Sequence, residues 1–305
     1  MSFFRRLFST SRQSGATAPA SESTPVEEQN TDRSTQEVVS LSTVEFFTRD
    51  SLIQKFIEIR DRGWVENTQK GNDGAAGNIL ENLLGIPTNN IPIPDASGWE
   101  LKTQSKNTQS LISLSHKEPE PRNERVVQRF LTPNYGWSHA DAGGKYPADE
   151  KSFRQTMNGA TYTDRGFKVT VNRNLHRLEV EFNSAMVSAR HQGWLDMVKA
   201  RVGNLGPLAI TPYWNFNDLY LSIGRKFYNC FLVRYDVKRE NGKEYFHYNE
   251  AYMLKNVDID KFIDCIESGK VKVEFDARTH HNHGTKMRMF FRDIPYAYKE
   301  VSRVM

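Results

Sequence analysis

The sequence predicts an α/β domain in which helices flank a mixed β-sheet. Period-two alternation in GWELKTQ (98–104), FKVTVN (167–172) and KVKVEFDA (270–277) marks strands, because strand side chains point to opposite faces in turn. Apolar residues at three- and four-residue spacing in SLIQKFIEIR (51–60) and GNILENLLG (77–85) mark helices.

The elements follow in order from Leu41, where periodicity begins. S-L-I-Q at Ser51 to Gln54 has the form of a capping box, and Leu52, Ile53, Phe56, Ile57 and Ile59 form an apolar face ending near Gly63. Thr68 to Gly77 is rich in Gly and Asn, which makes it a loop: either a plain connection or a close approach to a phosphate. GNILENLLG is a short amphipathic helix stopped by Gly85, with Glu81 off its apolar stripe. Pro94 in IPIPDASG rules out continuing that helix and makes a turn-rich lead-in. GWELKTQ then places Trp99, Leu101 and Thr103 on one strand face and Glu100 with Lys102 on the other. LISLSH (111–116) is expected to pair with it, and Ser138 to Gly159, poor in aliphatic residues, to form an exposed excursion.

FKVTVNRNLHRLEVEFN (167–183) reads as a hairpin whose turn carries Arg173, His176 and Arg177 as a basic tip. That tip serves either hairpin solubility or DNA contact. HQGWLDMVKARVG (191–203) is a helix with Trp194, Leu195 and Val198 toward the core. Asn241-Gly242 is the type I′ turn signal of a second hairpin, whose aromatic residues pack the sheet on a helix. DIDKFIDCIESG (258–269) is a helix, and KVKVEFDA a strand after it.

Length and composition bound the function. A chain of 305 residues accommodates one large domain, here 43–305, behind a tail, 1–42, that is rich in Ser, Thr, Gln, Glu and Pro and is expected to be disordered. Its first 21 residues carry Arg5, Arg6 and Arg12 with no acidic residue, a composition similar to a mitochondrial transit peptide. Cytoplasmic residence and import to the mitochondrial matrix are therefore both open. A net charge of +4 permits nucleic-acid binding without requiring it. Cys230 and Cys265 lack C-x-x-C spacing and read as free buried thiols. No apolar run approaches the ~18 residues of a spanning helix, so no membrane role is expected.

The chemistry concentrates between Gly71 and Lys117, where Glu81, Asp95, Glu100 and Lys102 fall in a short span broken by turn residues. Hydrolysis of a phosphodiester needs a cation held by converging oxygen ligands, an oriented water and an in-line approach. Asp95 and Glu100 are suited to hold the ion, Lys102 to orient or deprotonate the water, and Glu81 to add an outer carboxylate. An isolated E-x-K is no more than a solvated strand face. Its surroundings, G-x-x-G-N-x-L-E-x-L-L-G-I, then N-N, then P-D-x-x-x-W-E-L-K-T-Q, resemble the catalytic block of the MvaI/BcnI restriction endonuclease family and, more distantly, that of MutH-like nicking enzymes. Both belong to the PD-(D/E)XK nucleases.

Position by position, the resemblance implies that Asp95 and Glu100 are the metal ligands, Lys102 the catalytic lysine and Glu81 the helix glutamate. It implies a restriction-endonuclease-like core, two lobes around a DNA cleft, Mg²⁺ as cofactor and double-stranded DNA as substrate. It further implies cleavage at a short site to 5′-phosphate and 3′-hydroxyl ends, by a monomer that nicks each strand in turn. The C-terminal stretch RTHHNHGTKMRMFFR (278–292) carries H-G-T-x-x-R, which resembles the family's DNA-facing block. His283, Gly284, Thr285, Lys286 and Arg288 are accordingly expected at the DNA. The histidines there lack cysteine partners and helical i, i+4 placement, so zinc is not expected. A MutH-like repair nickase and a DNA-binding module without catalysis remain alternatives.

Overall fold

A computed structural model of the protein describes residues 47–86, 95–96 and 98–305. The tail at 1–42, with its transit-like stretch, and the IPIP lead-in before Asp95 lie outside the described residues. In chain order the elements are α1 (Arg49–Asp61), β1 (Val65–Glu66), α2 (Ala75–Leu84), β2 (Glu100–Ser105), β3 (Ile112–His116), α3 (Thr132–Tyr135), β4 (Trp137–Ser138) and β5 (Lys151–Met157). They continue with β6 (Arg165–Asn172), β7 (Arg177–Val187), α4 (Gln192–Val202), β8 (Tyr213–Asn215), α5 (Phe216–Leu219), β9 (Asn229–Glu240) and β10 (Lys243–Val257). The last are α6 (Ile259–Glu267), β11 (Val271–Arg278), β12 (His281–Met289) and β13 (Tyr298–Arg303).

The mixed sheet expected from the sequence runs β1-β10-β9-β2, with β13 also on β10. Its pairs are antiparallel except β2 with β9, which run parallel in the register Glu100↔Cys230 and Lys102↔Leu232. Its long hairpin turns where Asn241 and Gly242 both take positive φ, as a type I′ turn demands. A second, antiparallel sheet runs β3-β12-β11-β5-β4, and a third β6-β7-β8.

Two hydrophobic clusters hold these layers. One packs α1 and α2, through Leu52, Phe56, Ile79 and Leu80, on Trp99, Leu101, Phe231 and Tyr248 of the mixed sheet. The Phe56 ring meets Phe231 edge-on at 5.1 Å, and the Tyr248 hydroxyl donates to the Ala76 carbonyl at 2.7 Å. The other lies between the opposite face of β9 and β10 and the remaining sheets, and contains Cys230, Leu232, Phe153, Phe167, Trp214, Phe262 and Phe275. Both cysteines are free and buried. Among the described residues no helix is long and apolar enough to cross a membrane.

Three sequence expectations need correction. The capping box of α1 is Thr48 with Ser51: the Thr48 hydroxyl accepts from Ser51 N, and Ser51 Oγ accepts from Thr48 N. Ser51 is thus the third helical residue, not the cap. LISLSH does not pair with the E-L-K strand; β3 joins β12 in the second sheet. The densely apolar Cys230–Val233 run takes the place beside β2, because only a strand buried on both faces can sit between β2 and β10. Finally, the excursion is confined to the segment before β5, since KSFRQTM pairs with β11 and buries Phe153 and Met157.

Candidate active site

The site is assembled at the start of edge strand β2. A tight turn precedes it: Ala96 and Trp99 exchange both backbone hydrogen bonds, at 2.9 and 2.8 Å, with Gly98 at φ 91°, where a side chain would be strained. This turn brings Asp95 back over the strand, so that its Oδ2 accepts from Leu101 N at 2.8 Å. Trp99 and Leu101 go into the α2 core while Glu100 and Lys102 point the other way, as alternation predicts.

Glu100 is fully buried. Its Oε1 accepts from Lys102 Nζ at 2.5 Å and lies 3.5 Å from Lys226 Nζ. Its Oε2 is buried with no hydrogen-bond partner. Burial dominates its titration, and Asp95 adds to it; despite the two lysines the carboxyl is pushed up to about 7. Burial also raises Glu81, with Asp95 again contributing, which places Glu81 within electrostatic reach of the same group. For Lys102, burial alone would lower the pKa, but the charge and hydrogen bond of Glu100 outweigh it and the net shift is upward. Its ammonium sits 5.4 Å from the centre of the Phe227 ring.

Lys226 escaped the sequence reading. It belongs to RKFYN, with no motif around it, and matters only because it precedes β9, the parallel neighbour of β2. The residue after it is pinned: Phe227 is buried, its N–H donates to Ile223 O at 2.7 Å, and its carbonyl accepts from the Tyr298 hydroxyl at 2.8 Å. No local pattern in the sequence signals such a residue.

The C-terminal block lies on β12, between β11 and β3. Gly284, at φ 90°, forms a kink clamped by Glu118, which accepts from Thr285 N at 2.6 Å and from Asn282 Nδ2 at 2.9 Å. His283 is exposed and its ring lies 4.2 Å from that of His281. Lys286 and Arg288 occupy the face opposite to the buried Thr285, Met287 and Met289. Thr285 differs from its neighbours: it is only 1% exposed, and its hydroxyl is buried without a hydrogen-bond partner.

The same face carries His116 of β3, paired in register with Lys286. Burial first, then the charges of Lys286, Arg288 and Lys226, lower the His116 pKa. Lys226 thus acts electrostatically both on Glu100 of β2 and on His116 of β3.

The hairpin tip stands apart from this group. Arg173 pairs with Asp264 at 2.9 Å and Glu267 at 2.6 Å on α6, and Arg177 pairs with Glu179, so the expected basic tip is largely neutralised. His176 adopts φ 48°, and its carbonyl accepts from Phe216 N at 2.9 Å.

Among the described residues, no three His, Cys, Asp or Glu side chains stand preassembled around an ion position. The donor chemistry nevertheless fits Mg²⁺. Asp95 and Glu100 are hard oxygen donors, the Glu100 oxygen buried without a partner is one a cation would satisfy, and Mg²⁺ keeps several waters and needs few protein ligands.

The chain belongs to the MvaI/BcnI restriction endonuclease family, whose profile matches residues 53–298. That membership makes it a type II restriction endonuclease, an enzyme acting on DNA. Among solved structures, restriction endonuclease MvaI in complex with its cognate DNA substrate matches with a TM-score of 0.66 at 22% identity, over 85% of this chain and 100% of that one. MvaI without DNA matches with a TM-score of 0.49 at 22% identity, over 83% and 96% of the two chains. No match was found among curated proteins.

Proposed function

We propose that the protein is a Mg²⁺-dependent endonuclease that hydrolyses double-stranded DNA at a short specific site, with Asp95 and Glu100 holding the ion. The observation that carries this reading is Glu100 itself, fully buried, paired to Lys102 at 2.5 Å and left with an unpartnered oxygen. A buried carboxylate in that state is costly unless a cation completes its shell. When bound there, a divalent ion supplies positive charge that polarises the phosphoryl oxygens.

The chain's own groups do the rest. Lys102, its pKa raised, stays protonated near neutral pH and works as a hydrogen-bond donor that orients the attacking water rather than as its base. Glu81, whose proton affinity is raised by burial and by Asp95, is suited to receive the water proton. Water oxygen bonds to phosphorus in line with the departing 3′-oxygen, the P–O3′ bond breaks, the leaving 3′-oxygen takes a proton from a solvent water, and the products are a 5′-phosphate and a 3′-hydroxyl. Lys226 adds a second positive charge beside Glu100, suited to a non-bridging phosphate oxygen.

His283, Gly284, Lys286 and Arg288 form the DNA-contacting face, and His116 joins them. Arg173 and His176, with partners on α6 and α5, are a weaker second contact. The enzyme acts as a monomer inside the cell. Titration calorimetry tests the assignment: wild type should bind Mg²⁺ with proton release near pH 7, and Glu100→Ala should bind none. Equal binding by both proteins would remove Glu100 from the metal site.

A further inference from the structure

Lys286 and Arg288, the cations of the β12 face, are not free to meet a phosphate. Both are held by one carboxylate, Glu274 of β11: Arg288 Nη1 donates to Oε2 at 2.6 Å, and Lys286 Nζ lies 3.6 Å from Oε1. Arg288 Nη2 is bonded to the Leu111 carbonyl at 2.7 Å, and its Nε is buried without a partner. The Glu274 side chain is only 16% exposed, and its other cross-strand neighbour is the uncharged Thr156. One anion therefore serves two cations on the face that the proposed function turns toward DNA, and the trio carries a single net positive charge.

We propose that Glu274 is a specificity-determining residue, one that accepts a hydrogen bond from an exocyclic amino group of a base in the major groove. Where the base edge opposite Glu274 is an acceptor, Lys286 and Arg288 must still leave Glu274 to bind the duplex, and the largely buried carboxylate is then unpaired and faces a like partial charge. On DNA that presents a cytosine N4 or adenine N6 amine, the carboxylate gains a donor while the guanidinium turns to acceptors on neighbouring bases. Glu274 thus penalises every sequence that places an acceptor instead of an amine at that one position, which is stronger discrimination than a new attraction alone provides.

This inference rests on the endonuclease reading, and the test separates the two. Cut ends from a random-sequence duplex library, digested with Mg²⁺ by wild type and Glu274→Gln, are sequenced; binding to the preferred duplex and to a scrambled one is measured in Ca²⁺ at several salt concentrations. Glu274→Gln should relax the preference at one kind of base pair and keep the others. It should tighten binding to scrambled DNA, steepen that salt slope by about one, and lower discrimination at least tenfold. Glu274→Asp keeps the charge, so its salt slope stays as in wild type while the shortened acceptor still loses the base preference. It serves as well if the glutamine variant fails to fold.

An unchanged base preference and discrimination within twofold of wild type, in a folded variant of either kind, overturn the proposal. Absence of any cutting by wild type would instead overturn the endonuclease reading.

Discussion

At the residue scale the decisive fact is the burial of Glu100. Its folded-state pKa, about 7, lies above the 4.5 of an unperturbed glutamate. The protonated form is therefore favoured by folding: the associated stability is complete below pH ~4.5 and is lost as pH rises through ~7. A shift of that size corresponds to roughly 3 kcal/mol. Glu100→Gln, uncharged at every pH, should melt several degrees above wild type at pH 8 without metal and close to it at pH 5. Mg²⁺ should close the gap at pH 8 by stabilising the ionised wild type. Melting curves of both proteins at the two pH values, with and without Mg²⁺, check this; a gap independent of pH would mean that Glu100 is not strained by its charge.

Lys226 belongs to the same scale. Lys226→Met should leave the melting temperature within a few degrees, because the side chain is partly exposed, yet lower kcat by about 100-fold, as loss of a transition-state contact does. Arginine at this position should rescue part of the rate. A raised KM with unchanged kcat would reduce Lys226 to a binding residue.

Elements were legible where local pattern and tertiary setting agree. The E-L-K alternation, the Gly85 stop and the Asn241-Gly242 turn all hold in the structure, because each depends on only a few neighbouring residues. The partner of β3 was not legible: adjacency along the chain favours β2, whereas β9 arrives from more than 120 residues away and closes the mixed sheet in parallel. Lys226 was hidden for the same reason. Strand β5 was hidden because Phe153 and Met157 are the only large apolar residues in KSFRQTM, and the sheet supplies the rest of its burial.

The α1 helix offers an element-scale test. Phe56, 1% exposed and edge-on to Phe231, locks α1 to the strand beside β2. Phe56→Ala should cost about 3–5 kcal/mol, measured by urea unfolding. A loss below ~1 kcal/mol would show that α1 is not part of the cooperative core.

For the whole molecule, the proposed function draws on two parts of the chain far apart in sequence: the carboxylates and lysine between Glu81 and Lys102, and the basic face of β12, with Lys226 acting electrostatically on both. The low apolar content of the tail predicts that removing residues 1–42 leaves melting temperature and cutting unchanged.

The most direct measurement is cleavage of supercoiled plasmid by purified wild type, Asp95→Ala and Glu100→Ala, in Mg²⁺ or EDTA, with duplex binding of each protein measured alongside. The account predicts that wild type cuts in Mg²⁺ and not in EDTA, and that both variants still bind duplex DNA but lose cleavage by at least three orders of magnitude. Near-normal Mg²⁺-dependent cutting by either variant would contradict it.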